Sequence, residues 1–220
     1  PDLTVLKIRH ESMQRGHERQ AWELARKLYE QDPENSNTRY WYVRTAMDYE
    51  ESDADKEELE ELIKSLLERE PEFPGYWQLM GDYVHRQGDL AAALGCYQRC
   101  QSCSQERWEF VDHQIRETAE ALADEMEEDP EFDDWWQLAN VCWQAERYEQ
   151  VRELLENQEP TDEQRMSWLI MMAGSCHETE DYELAANYRQ EIWDLLEPEK
   201  RPFQLYVDLA DEYRQFGDTQ

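Results

Sequence analysis

The sequence predicts an all-α protein of consecutive helical hairpins, and three observations carry that expectation. Within Tyr76 to Tyr97, Trp77, Met80, Gly81 and Val84 recur at the i, i+3, i+4, i+7 spacing of one helix face; Gly88-Asp89 breaks the pattern, and Ala93, Tyr97 and Cys100 resume it on a second helix. The unit has an internal echo: Asp129-Pro130-Glu131-Phe132 before Trp135-Trp136-Gln137-Leu138 repeats Glu70-Pro71-Glu72-Phe73 before Tyr76-Trp77-Gln78-Leu79. The 220 residues hold nine Trp and twelve Tyr, too aromatic for a disordered chain, but only seven Gly and eight Pro, too few for many tight turns.

Taken in order, residues 3–15 read as a helix and Gly16-His17 as a turn. Ala21, Ala25 and Leu28, with Pro33 beyond them, mark a second helix. Tyr42, Thr45, Ala46 and Tyr49 mark a third over 38–50, and 50–55 is a polar loop. Lys56 to Glu70 carries Leu59, Ile63 and Leu66 on one stripe, with Pro71 after its end. The hairpin from 76 to 103 follows. Residues 105–128 hold Trp108, Val111, Ile115, Leu122 and Met126 without a breaker, which reads as one long helix or two joined by a kink. Trp135, Leu138, Ala139 and Cys142 mark another first helix, and Val151 and Leu155 its partner before Pro160. Leu169, Met172, Ala173 and Cys176, the turn Asp181-Tyr182, and Ala185 make a hairpin over 163–197. Tyr206, Leu209, Ala210 and Tyr213 mark a last first helix, followed by Gly217-Asp218.

These spacings resemble the tetratricopeptide repeat, W-x2-L-G-x2-Y then A-x3-F then P over about 34 residues. Here Trp77, Met80, Gly81 and Val84, then Ala93 and Tyr97, stand at those positions, with Gln105 where the Pro would be. The match covers about 180 residues, is strongest at 76–97 and 206–218, and fails across 105–128. The resemblance implies an α-solenoid of stacked antiparallel hairpins in a right-handed superhelix. The expected layout is a single array, with repeats about 3–33, 38–71, 76–104, 134–160 and 163–197, and a half repeat at 203–218. Pro1 and the unpaired last helix suggest a fragment of a longer protein.

Charge narrows the partners. Fifty-three acidic against twenty-two basic residues give −31, with mean hydropathy −1.04. Binding to nucleic-acid phosphates or anionic lipid is therefore not expected. Either a basic partner or adaptation to high salt accounts for the acidity, and only five of the basic residues are Lys. No run of about 18 apolar residues and no signal peptide is present, and five Cys exclude a complete disulfide framework, so a reducing, cytoplasmic setting is expected.

Catalytic chemistry finds little support. Cys96-x3-Cys100-x2-Cys103 has the spacing of an iron–sulfur site, but it lies on one helix stripe, where buried Cys acts as a small hydrophobe. A redox pair of Cys100 and Cys103 is the other reading. His10, His85 and His177 belong to different repeats, too far apart to share a metal. Acid runs such as Glu57-Glu58, Glu60-Glu61 and Glu127-Glu128-Asp129 lack a calcium loop and read as solvated helix faces. No nucleophile elbow or phosphate-binding loop occurs. No enzyme activity, cofactor or metal is expected.

What the resemblance does imply is a concave groove lined by first helices. Its groove-facing positions map to Tyr40, Val43 and Met47; Gln78, Asp82 and His85; Trp136, Asn140 and Trp143; Ile170 and His177; and Val207, Asp211 and Arg214. Trp136 and Trp143 share a face and suit an interaction hot spot, or else pack on the 105–128 segment. Family members that clamp a chaperone's terminal carboxylate use Lys, Arg and Asn where Gln78, Asp82 and His85 stand, so that activity is not expected. The function read from the sequence is a non-enzymatic scaffold binding a peptide segment of a partner with basic residues. A structural spacer or self-association segment is the alternative; the oligomeric state is not readable.

Overall fold

The computed structural model describes residues 3–218, and every regular element among them is a helix. In chain order these are α1 (Leu3–Ser12), α2 (Glu18–Gln31), α3 (Ser36–Asp48), α4 (Lys56–Arg69), α5 (Pro74–Arg86), α6 (Leu90–Cys103), α7 (Glu109–Glu128), α8 (Trp135–Gln144), α9 (Tyr148–Leu155), α10 (Arg165–Glu178), α11 (Tyr182–Leu195) and α12 (Phe203–Asp218). They form two compact units whose boundary falls inside α7, between Ile115 and Arg116.

In the first unit each helix from α1 to α6 packs on the next, and α3 also packs on α1 and α5, the pattern of stacked hairpins. One apolar cluster joins Trp22 of α2, Tyr42, Val43 and Met47 of α3, Ile63 and Leu66 of α4, and Leu79 and Tyr83 of α5. Leu66 and Ile63 are fully buried, each contributing about 1.5–3 kcal/mol relative to exposure. In α5 and α6 the approach is closer still. A Cβ on Gly81 would stand 2.5 Å from the Tyr97 ring, so the small residue the sequence marked lets α6 lie against α5. In the second unit α8 to α12 pack consecutively, with Leu169, Ala173, Ile192, Leu205 and Leu209 in one cluster.

The turns explain why these helices end where they do. After α5, Gly88 N–H donates to the His85 carbonyl and Asp89 N–H to that of Val84, with Gly88 in the left-handed region at φ 86°. That is the Schellman end of a helix. The turn recurs after α8, where Arg147 N–H donates to Cys142 and Glu146 has φ 59°, and after α10, where Asp181 N–H donates to Cys176 and Glu180 has φ 61°. The next helix then begins on a cap: Asp89 accepts from Ala92 N–H at 2.9 Å, and Asp181 from that of Leu184 at 3.4 Å. The internal echo is also structural, since Phe73 N–H reaches the Glu70 carbonyl and Phe132 N–H that of Asp129, both at 3.1 Å.

The 105–128 segment differs from its expected bounds. It is one helix, but it starts at Glu109: Ser104 is extended (ψ 136°), its hydroxyl donates to the Glu106 carbonyl, and the Trp108 carbonyl accepts the N–H groups of Val111 and Asp112.

Candidate functional site

The first unit carries a cleft of about 730 Å³, within the usual range of ligand pockets. Three stretches of chain build its walls. The start of α3 supplies Tyr40 and Trp41, with ring centroids 5.3 Å apart and edge to face. The turn into α5 supplies Phe73 and Tyr76, at 4.5 Å, and Tyr76 lies 6.1 Å from Tyr40. The 104–110 segment supplies Trp108 and Phe110, stacked at 5.5 Å. Phe73 and Phe110 stand at the mouth, each about half exposed. Gly75 makes room for the Phe73 ring, whose Cε1 lies 2.8 Å from where a Cβ would be. Polar groups are few: Gln78, Glu70, and the Asn35-Ser36-Asn37 start of α3. Asn35 is itself occupied, accepting from the N–H groups of Asn37 at 2.9 Å and Thr38 at 3.4 Å. Burial pushes the phenols of Tyr40 and Tyr76 above the ordinary tyrosine value, so both stay neutral at physiological pH.

Of the sequence candidates, Tyr40 and Gln78 line this cleft. Asp82 does something else. Its carboxylate accepts from Arg44 of α3 at 2.5 Å, from the Tyr97 hydroxyl of α6 at 2.9 Å, and from Gln114 of α7 at 2.8 Å. Arg44 also donates to Asp48 at 3.2 Å. Burial lowers the Arg44 pKa, but Asp48 and Asp82 more than offset it and leave it above the ordinary arginine value. Asp82 is thus a junction holding four helices together, with little of it left for a ligand. Val43 is fully buried and Met47 nearly so in the core cluster, and Met47 also lines a smaller cleft of about 320 Å³ with Ala46, Tyr49 and Tyr83. His85 is exposed.

In the second unit the candidates are engaged separately. Trp136 meets Trp135 at 5.6 Å, edge to face, and Asn140 donates to the Trp136 carbonyl at 2.7 Å. Trp143 lies over Gly174 of α10, whose Cβ would stand 2.4 Å from its ring, and its ring centroid is 5.6 Å from that of Tyr148. It packs on the next hairpin. Ile170 is exposed, His177 approaches the Glu212 carboxylate at 3.5 Å, and Arg214 pairs with Asp211. The exposed Val207 completes α12's share.

Cys100 is fully buried among Ala93, Tyr97 and Val111, and burial pushes its thiol up to about 11. Cys103 donates to Glu72 at 3.5 Å, and burial also raises its pKa. Among the described residues, no group of three or more His, Cys, Asp or Glu is placed to hold a metal, and no helix is long and apolar enough to cross a membrane.

Neither a protein-family model nor a curated protein matches the chain. Solved structures similar to it include TTC0263, a thermophilic TPR protein of Thermus thermophilus, at 15% identity and TM-score 0.41 over 90% of this chain and 92% of that one. Pseudomonas aeruginosa PilF is 15% identical, with TM-score 0.38 over 100% of this chain and 97% of that one. The structure of Naa15/Naa10 bound to HypK matches at 12% identity and TM-score 0.41 over 98% of this chain. The chain spans about a third of the length of that last structure's matching chain. Within this chain, consecutive helix packing and the recurring Schellman turns are the features of stacked helical hairpins.

Proposed function

We propose that the chain is a non-enzymatic protein-interaction scaffold, and that the cleft of its first unit takes a peptide segment of a partner. The aromatic lining is the observation that carries this reading. Six rings from three separate stretches converge on one opening, and two of them remain half exposed at its mouth. Such faces attract Lys and Arg side chains by about 0.5–2 kcal/mol per contact. Glu70 adds a carboxylate at the same opening, and the −31 net charge draws a basic segment in and raises its rate of encounter.

Calorimetric titration tests this with an Arg-rich peptide and its Glu-substituted counterpart at rising salt. The Arg-rich peptide should bind more tightly, weaken as salt rises, and lose about tenfold or more in the Phe73→Ala/Phe110→Ala variant. Equal binding of both peptides without a salt effect, or unchanged affinity in the variant, would overturn the reading.

A further inference from the structure

The lining of the first-unit cleft favours one kind of cation over others. Of its six rings only Tyr76 is buried. Tyr40, Trp41 and Trp108 are partly open, and Phe73 and Phe110 are about half exposed. Tyr40 and Trp41 meet nearly at right angles, at 85°, whereas Trp108 and Phe110 lie closer to parallel, at 24°. The cleft thus presents aromatic surface in more than one plane. Among the described residues that line it, Glu70 is the one with a formal charge.

Such a lining meets ligand N–H groups poorly, because many of its acceptors are already engaged. The Asn35 side-chain oxygen holds the N–H groups of Asn37 and Thr38. Ser36 is bonded to the Tyr76 phenol. The Glu70 carbonyl accepts from Phe73 N–H, and the Trp41 carbonyl from the Thr45 hydroxyl. The two indoles can donate but not accept. A primary ammonium brings three N–H donors and a guanidinium five, and each one left without an acceptor costs free energy. A quaternary ammonium brings a full positive charge and no N–H. It takes the ring faces and the field of Glu70 without that cost.

We propose that the group seated on these rings is a trimethylated lysine of the partner's segment, a proposal that rests on the peptide reading above. At about 730 Å³ the cleft is several times the bulk of one trimethylammonium group. Main chain on either side of the modified lysine fits with it, which favours a segment over a free small cation. Phe73 and Phe110 stand against the methyl groups at the mouth, and Glu70 supplies the counter-charge. Gly75 keeps the Phe73 ring in place, since a Cβ there would lie 2.8 Å from it.

The test uses the 220-residue chain and one short peptide with flanking Arg, made in three forms. Its central position carries lysine, trimethyl-lysine, or the neutral isostere in which carbon replaces the charged nitrogen. By calorimetry the trimethylated form should bind about tenfold more tightly than either of the others. Phe73→Leu/Phe110→Leu keeps the apolar bulk and removes two aromatic faces, so that preference should largely disappear while native circular dichroism persists. Glu70→Gln should weaken the trimethylated form more than the isostere. Choline alone should compete far more weakly than the peptide; choline binding as tightly would assign the site to a small cation and overturn the proposal. So would equal binding of the lysine form or of the isostere, or a preference that neither variant reduces. If the three forms bind equally yet all weaken in Phe73→Ala/Phe110→Ala, the peptide reading stands and trimethyl-lysine recognition falls. No binding by any form would remove both.

Discussion

Gly81 lies directly under the ring of Tyr97, where an added Cβ would stand 2.5 Å from Cε1 and 2.7 Å from Cδ1. The ring cannot retreat, because Tyr97 is 3% exposed and its hydroxyl is tied to Asp82. Gly81→Ala gains about 1 kcal/mol in helix propensity but overpacks the contact by about 1–3 kcal/mol. We expect a net loss of stability, read as a lower urea midpoint for the first unit. An unchanged or higher midpoint would show that α6 can move aside.

Asp82 gathers Arg44, Tyr97 and Gln114 from three other helices, and only 12% of its side chain is exposed. Asp82→Ala leaves all three donors without that acceptor and should cost about 3 kcal/mol or more. Arg69→Ala breaks only exposed contacts with Glu34, an ion pair and a hydrogen bond to its carbonyl, and should cost about 1 kcal/mol or less. Denaturant titration of both variants, giving comparable losses, would contradict the junction.

Glu180 sits at φ 61°, where Gly88 serves the equivalent turn of the first unit. A side chain in the left-handed region costs about 1–2 kcal/mol, while glycine's greater freedom in the unfolded chain takes back up to about 1. Glu180 is exposed and its side chain caps nothing, so Glu180→Gly should stabilise the second unit by up to about 1 kcal/mol. Thermal melting would settle the sign.

Burial pushes the thiols of Cys100, Cys142 and Cys176 up to about 11 and the Tyr42 phenol up to about 12. Unfolding returns the thiols to about 9 and the phenol to about 10, so above pH 9 the unfolded chain releases protons that the folded chain retains. The contribution of these groups is complete below pH 9 and is lost as the pH rises toward 11–12. Urea midpoints should fall through that window, and a flat profile would contradict it. At neutral pH these thiols should react with a disulfide reagent far more slowly in the native than in the unfolded protein.

The hairpins were legible because their apolar stripes follow the helical period and because Gly88 and Asp181 punctuate them. The α8 turn was less so, since Glu146 occupies a left-handed position that its residue type does not announce, as does Glu180 beside Asp181. The cleft was half hidden. Groove positions counted along first helices reach Tyr40 and Gln78, but Trp108 and Phe110 come from the irregular 104–110 segment, which follows no repeat register. Phe73 carried a signal of its own in the Glu-Pro-Glu-Phe echo. Met47 sits with Ile63, Leu66 and Leu79 in the core cluster, a burial that counting positions along first helices does not reveal.

The consecutive packing from α1 to α6 also sets how this unit comes apart. Nearly all of its burial joins segments close in sequence, so contact order is low, and such chains fold rapidly and open stepwise from an end. Among the described residues α1, in which Ile8 alone is buried, packs on α2 and α3, whereas α3 packs on α1, α2, α4 and α5. Amide exchange should therefore be fastest in α1 and slowest where α3, α4 and α5 meet.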